Sequence, residues 1–244
     1  EIIYSQMVKI CSIGESQVAE EIQDLIEKQT NPTIAPYAKT GEVHLRITAK
    51  GKNEKECQKL IKPVVKELKA RFGRNVFATE ESKTLEEAVV DMLKEQEMTL
   101  SLAESCTGGA IAARIVNVSG ASEVFLQGMV TYSNKAKRRC LDVSKSTLKK
   151  HGAVSEECAA EMAKGGRKAA ETDICLSVTG IAGPGGGTKE KPVGTVFMGC
   201  SYKGCTKVRE FHFQGNRARV REQTVAHGLA FLRDCMMERA DKKK

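Results

Sequence analysis

Ser101-Leu-Ala-Glu-Ser-Cys-Thr-Gly-Gly109 is a short apolar strand that runs into a polar turn, and the turn opens a helix. Met98 to Ala103 reads as the strand and Ala110 to Val116 as the helix. Ser105, Cys106 and Thr107 then lie beside the unpaired N–H groups of a helix start, whose dipole suits a phosphate or a developing oxyanion. The same residues also read as an ordinary cap, with Gly108 and Gly109 permitting close packing. Cys106 rivals Ser105 as a nucleophile, because a helix start lowers a thiol's pKa, and it reads equally as buried packing.

Working outward, the helix from Thr84 carries a Thr84–Glu87 capping box, and strand Val124 to Tyr132 is followed by a short helix that Asn134 is placed to cap. A helix from Ser155 to about Ala170, strands Ile174 to Val178, Thr195 to Tyr202 and Val208 to Phe213, and a long last helix complete this part. Strands interleaved with helices predict an α/β layered fold, and the two neighbouring late strands favour a mixed sheet. Upstream, strand Met7 to Ile13, helix Glu15 to Lys28, an alternating strand at Val43, Leu45 and Ile47, and a helix from about Asn53 to Arg71 form a small α+β unit. Pro63 warns against a straight second helix, and Pro32 and Pro36 limit helix formation between the two. The polar segment Ala78 to Lys83 is placed as the boundary, giving domains 1–78 and 84–240.

The 244 residues are 41% hydrophobic, enough for real cores, and no apolar run approaches the roughly 20 residues of a membrane helix. With no signal-peptide pattern, a cytoplasmic location is expected. Nine cysteines without a Cys-x-x-Cys pair support neither a disulfide framework nor a zinc site, and reduced thiols are expected; separately, no metal or cofactor is expected. The +8 formal charge suits an anionic ligand, although Lys242 to Lys244 read as a solvated tail and much of the remaining excess is spread over helix faces that alternate with Glu.

A serine nucleophile needs a base, and none of the four histidines stands beside a catalytic-looking cluster. Lysine is the better candidate. In Tyr132-Ser-Asn-Lys-Ala-Lys137, Lys137 falls in the first turn of a helix, where the dipole and burial both depress an amine pKa. A surface lysine in a basic run is the plainer reading. Ser177-Val-Thr-Gly-Ile-Ala-Gly-Pro-Gly-Gly-Gly187 is a strand entering a glycine-rich turn that lets backbone N–H groups approach a ligand, or else a linker; it lacks the Gly-Lys-Ser/Thr of a P-loop. Gly215-Asn-Arg-Ala-Arg-Val-Arg221 places three arginines at a helix start, where an anion would give at least one of them a purpose.

These motifs, with His151-Gly-Ala-Val-Ser155, Lys191-Pro-Val-Gly-Thr195 and Gly215-Asn-Arg217, occur in an order that resembles the CinA C-terminal family over about 84 to 235. That family includes nicotinamide mononucleotide deamidases. Residues 1–78 resemble the small KH-like domain of long CinA proteins through Gly14-Glu-Ser16, Asn31-Pro-Thr-Ile34 and Gly41-Glu-Val43. The resemblance implies a three-layer α/β domain with a mixed sheet behind an α+β KH-like domain. It implies hydrolysis of the nicotinamide carboxamide to nicotinate mononucleotide and ammonia through an acyl-enzyme. Ser105 would be the nucleophile, Lys137 its base and Tyr132 a polar partner in proton transfer or positioning. Thr179 and Arg217 would belong to the substrate site, and Thr107, Gly108, Gly109, Asn134 and Gly180 complete the candidate binding set. A homo-oligomer, a dimer first, is the expected assembly. The molybdopterin-binding-like domain of long CinA proteins is not in this sequence, and its activity is not carried over. Residues 1–78 have no Gly-x-x-Gly loop, so nucleic-acid binding is not expected. The competing class is a nucleotide-binding regulatory module without turnover, which would not need Ser105, Tyr132 and Lys137 together.

Overall fold

Period-two alternation in the N-terminal part becomes an antiparallel sheet in the computed structural model, which describes residues 1–243. Its strands are β1 (Ile2–Cys11), β2 (Thr33–Lys39), β3 (Glu42–Gly51) and β4 (Val76–Ala78), in the order β2-β3-β1-β4. Residues two apart share one side of a strand, so Val43, Leu45, Ile47 and Ala49 of β3 and Val8 and Ile10 of β1 line one core. Helix α1 (Glu15–Lys28) closes that core with Val18 and Ile22, and α2 (Glu54–Phe72) closes it with Ile61, Val65, Leu68 and Phe72.

The expected second helix forms, and one local expectation changes. α2 runs through Pro63, because its buried stripe outweighs the roughly 3 kcal/mol that a proline costs a helix interior. β2 is a strand although it contains Pro36; it lies at the sheet edge, where a missing N–H is tolerated. The chain divides into two units at Ala88/Val89, within α3 (Leu85–Glu95). The buried ammonium of Lys9 on β1 donates to the carbonyls of Glu81 (2.7 Å) and Lys83 (2.8 Å), which ties that polar segment to the first unit. Thr84 and Glu87 form the capping box of α3, each side chain accepting from the other's backbone N–H.

The second unit holds β5 (Leu100–Glu104), β6 (Phe125–Val130), β7 (Ile174–Gly180), β8 (Thr195–Tyr202) and β9 (Cys205–His212), in the order β6-β5-β7-β8-β9. β5 is parallel to β6 and β7, and β8 is antiparallel to β7 and β9, so the sheet is mixed. Helices α4 (Ala110–Val116), α5 (Asn134–Leu141), α6 (Lys145–Lys150), α7 (Glu156–Ala170) and α8 (Arg217–Asp241) cover it. Successive residues of β7 identify the layers. A Cβ added at Gly166 of α7 would lie 2.6 Å from Cys175 Sγ, whereas one at Gly228 of α8 would lie 3.6 Å from Leu176 and 3.3 Å from Ile111 of α4. α7 therefore packs on one face and α4 with α8 on the other, which is the three-layer arrangement. Gly165 brings α7 so close to Leu141, at the end of α5, that any side chain there would overlap its carbonyl.

Candidate active site

The three parallel strands β5, β6 and β7 end on the same side, and open α/β sheets bind ligands beyond such carboxyl ends. Ser105 follows β5, Thr131 and Tyr132 follow β6, and Thr179 and Gly180 close β7. A cleft of about 270 Å³ lies there, lined by Ser105, Tyr132, Lys137, Thr179, Gly180 and Arg217 among others. The glycine-rich turn through Gly183 and Gly186 and the loop at Ala153 and Val154 supply the rest of its wall.

Lys137 lies in α5, whose cap is Ser133 rather than the expected Asn134: Ser133 accepts from the Ala136 N–H. Asn134 becomes the first helical residue and does not line the cleft. With Ser133 as cap, Lys137 N–H makes the first i to i−4 bond of the helix, and its side chain turns inward. The residue as a whole is 1% exposed. Nζ stands 2.9 Å from Ser105 Oγ and donates to Thr131 O at 2.8 Å. Desolvation holds its pKa below the ordinary lysine value, with the neighbouring Cys158 and Cys106 thiols opposing the shift. An amine so placed can take a proton from Ser105. Cys106 also lines the cleft, but burial pushes its thiol up to about 12. Thiolate is thus the disfavoured form here, and the hydroxyl of Ser105, not Cys106, has the base at hydrogen-bond distance.

The Tyr132 side chain, 64% exposed, accepts from Arg217 Nη2 at 3.0 Å, while Arg217 Nη1 donates to Gly183 O at 2.9 Å. That contact gives Tyr132 a part in holding Arg217 and the glycine-rich turn. Thr179 Oγ1 donates to Ala153 O (2.8 Å), and Lys191 Nζ to His151 O (2.7 Å), so the far wall is pinned at two points.

The expected anion site at the start of α4 does not form, and the reason is Glu104. Its buried carboxylate accepts from Thr107 Oγ1 (2.6 Å), Ile111 N–H (2.9 Å) and Ala112 N–H (3.0 Å). The donors that would have met a phosphate already hold a carboxylate of the chain itself. Thr107 is fully buried on Glu104, and Thr107, Gly108 and Gly109 stand outside the cleft lining. Nor does Ser105 or Thr107 cap the helix: the N-cap is Gly109, with φ 95°, a left-handed conformation that glycine adopts without strain. Arg221, one of the three arginines at the start of α8, donates to Cys106 O (3.0 Å) and Thr107 O (2.9 Å). Its purpose is the turn's own carbonyls. Glu104 was not singled out from sequence, and Arg221 was, but only as one of three arginines that an anion could pair with.

A two-layer KH-like unit followed by a three-layer α/β unit with a serine–lysine pair at its strand ends defines the class of protein. The CinA C-terminal domain matches residues 82–236 and the damage-inducible protein CinA KH domain matches residues 5–78. The chain belongs to the CinA family. It is 49% identical over 232 residues to a CinA-like protein of Dictyoglomus turgidum, covering 95% of this chain and 56% of that one. It is 48% identical over 236 residues to a CinA-like protein of Kosmotoga olearia, covering 97% and 57%. The chain thus spans little more than half the length of these relatives. The crystal structure of competence/damage inducible protein CihA from Agrobacterium tumefaciens superposes with TM-score 0.59 at 39% identity, over 61% of this chain and 91% of that one. Among the described residues no helix is long and apolar enough to cross a membrane.

Proposed function

We propose that the chain is an amidohydrolase that converts nicotinamide mononucleotide to nicotinate mononucleotide and ammonia by acyl transfer through Ser105. The observation that carries the reading is the desolvated amine of Lys137 at 2.9 Å from Ser105 Oγ, inside a cleft that also holds a guanidinium. A module that only binds has no use for a buried lysine aimed at a serine. The substrate comes from the family resemblance, and the +8 charge and Arg217 are compatible with its phosphate.

In this reading Ser105 Oγ attacks the carboxamide carbon while Lys137 takes the hydroxyl proton. The oxyanion that develops is met by the N–H of the residue after the nucleophile, Cys106. Collapse breaks the C–N bond, and Lys137 returns its proton to the leaving nitrogen, which departs as ammonia. Water then attacks the ester carbonyl and gives a proton to Lys137. The C–Oγ bond breaks, Ser105 recovers its proton, and the carboxylate product leaves. Arg217, steadied by Tyr132 and Gly183 O, holds the phosphate, and the start of α4 takes no part because Glu104 occupies it.

The test is incubation of the purified chain with nicotinamide mononucleotide, with ammonia and nicotinate mononucleotide measured together. Equal amounts of both are expected. Saturable nucleotide binding with no ammonia would overturn the reading in favour of a regulatory module.

A further inference from the structure

Helices α5, α6, α7 and α8 each begin with a Ser or Asn whose side chain accepts an N–H three residues on: Ser133, Ser144, Ser155 and Asn216. This is the local, self-contained way to satisfy a helix start. α4 is built differently. Its N-cap, Gly109, has no side chain to offer, and Glu104 meets the N–H groups of Ile111 and Ala112 from seven and eight residues upstream. Glu104 is the last residue of β5, directly before Ser105. The backbone of both residues is held as well: Thr131 N–H donates to Glu104 O (2.9 Å), and Ser105 N–H donates to Val178 O (3.0 Å). The one carboxylate therefore closes a ring around the turn that presents Ser105, joining the strand before it to the helix after it through Thr107 in between. Arg221 fastens the same turn from α8.

Accepting Ser105 as the nucleophile, as the proposed function does, we infer that Glu104 is a positioning residue that sets the Ser105 hydroxyl against Lys137. It acts through three accepted hydrogen bonds and does not touch the substrate. A carboxylate is needed because both oxygens accept: Oε1 takes Thr107 and Ile111, and Oε2 takes Ala112. Glutamine has nearly the same shape but would set an NH₂ donor against one of these donors. A plain helix cap would affect stability alone, whereas a positioning residue affects the chemical step, because misplacement by about 1 Å can cost on the order of 100-fold in rate.

The experiment compares Glu104→Gln, Thr107→Val and Thr107→Ser in the full chain. Four quantities are read: kcat and KM for nicotinamide mononucleotide, the rate at which a fluorophosphonate labels Ser105, and thermal midpoint. Glu104→Gln is expected to lower kcat and the labelling rate together by about 100-fold, with KM within about threefold of the parent. Thr107→Val, which deletes one of the three bonds, is expected to lose about tenfold in both, and Thr107→Ser to restore them. If Glu104→Gln does not fold, the Thr107 pair decides. Parental labelling and kcat in the folded Glu104→Gln variant, or in Thr107→Val where that one fails to fold, would overturn the inference, as would a loss confined to KM or to thermal midpoint. Should the parent chain label at Ser105 yet release no ammonia, the substrate assignment fails while the labelling comparison still decides the role of Glu104. A parent whose Ser105 does not label overturns both.

Discussion

Replacing Lys137 by arginine keeps a positive charge and removes the base. In the native site Lys137 is 1% exposed, and the two named partners of its Nζ are Ser105 Oγ at 2.9 Å and Thr131 O at 2.8 Å. A guanidinium has five donors, so about three would face a desolvated surrounding without acceptors, each costing roughly 1–3 kcal/mol of stability. It also stays protonated near neutral pH, so the general-base contribution of about 100- to 10,000-fold is lost, roughly 3–5 kcal/mol of barrier. Lys137→Met separates the two effects, because it fills similar volume without a charge or a donor. The sign of its stability effect follows from linkage. Burial lowers the Lys137 pKa in the folded chain, so between that value and the unfolded value of 10.5 the unfolded state binds more protons and wild-type stability rises with pH. The methionine variant lacks this term, so whatever advantage in thermal midpoint it holds at neutral pH should shrink toward pH 10. Wild-type kcat should likewise rise with pH as the amine loses its proton, with a midpoint below the ordinary lysine value of 10.5. Ammonia-release kinetics from about pH 6 to 10, with melting curves at the same pH values, measure both. An arginine variant that keeps more than about a tenth of wild-type kcat would refute the base assignment, since the expected loss is at least about 100-fold.

Arg217→Ala should raise KM for nicotinamide mononucleotide by about 10- to 100-fold through loss of charge-assisted hydrogen bonds, and should narrow the preference over the riboside. Comparing kcat/KM for nucleotide and riboside in both proteins checks this; an unchanged preference would remove Arg217 from phosphate recognition. Gly165→Ala should force α7 away from Leu141 at the end of the helix that carries Lys137, costing about 1–3 kcal/mol and lowering kcat more than it raises KM. A melting curve and kinetics unchanged from the parent would show that α5 and α7 are not held at that distance.

Ser105 and Lys137 were each legible as chemistry, one at a strand-to-helix turn and the other in the first turn of a helix that follows a strand. Their meeting was not, because 32 residues separate them and only the parallel pairing of β5 with β6 brings the two strand ends together. Physical reading of the residues left Cys106 open as a rival, since exposure decides a thiol's pKa and exposure is a tertiary property. Glu104 escaped notice because a carboxylate at a strand end looks like an ordinary solvated residue until a helix start is seen to fold back onto it. β2 was hidden by Pro36, whose cost depends on whether its strand lies at an edge or in the middle of the sheet. The long buried strands and most helices, by contrast, carried their periods plainly, enough to read an α/β layered fold with a mixed sheet, whereas which helix covers which face is set by tertiary packing such as that of Gly166 and Gly228.

Acyl transfer through Ser105 can be caught by acid quenching of the chain during turnover of nicotinamide mononucleotide, followed by peptide mass analysis. A peptide carrying the acyl group of nicotinate mononucleotide as an ester on Ser105 is expected, absent from Ser105→Ala and still present in Cys106→Ala. Turnover with the acyl group on Cys106, or undiminished turnover in Ser105→Ala, would contradict acyl transfer through Ser105.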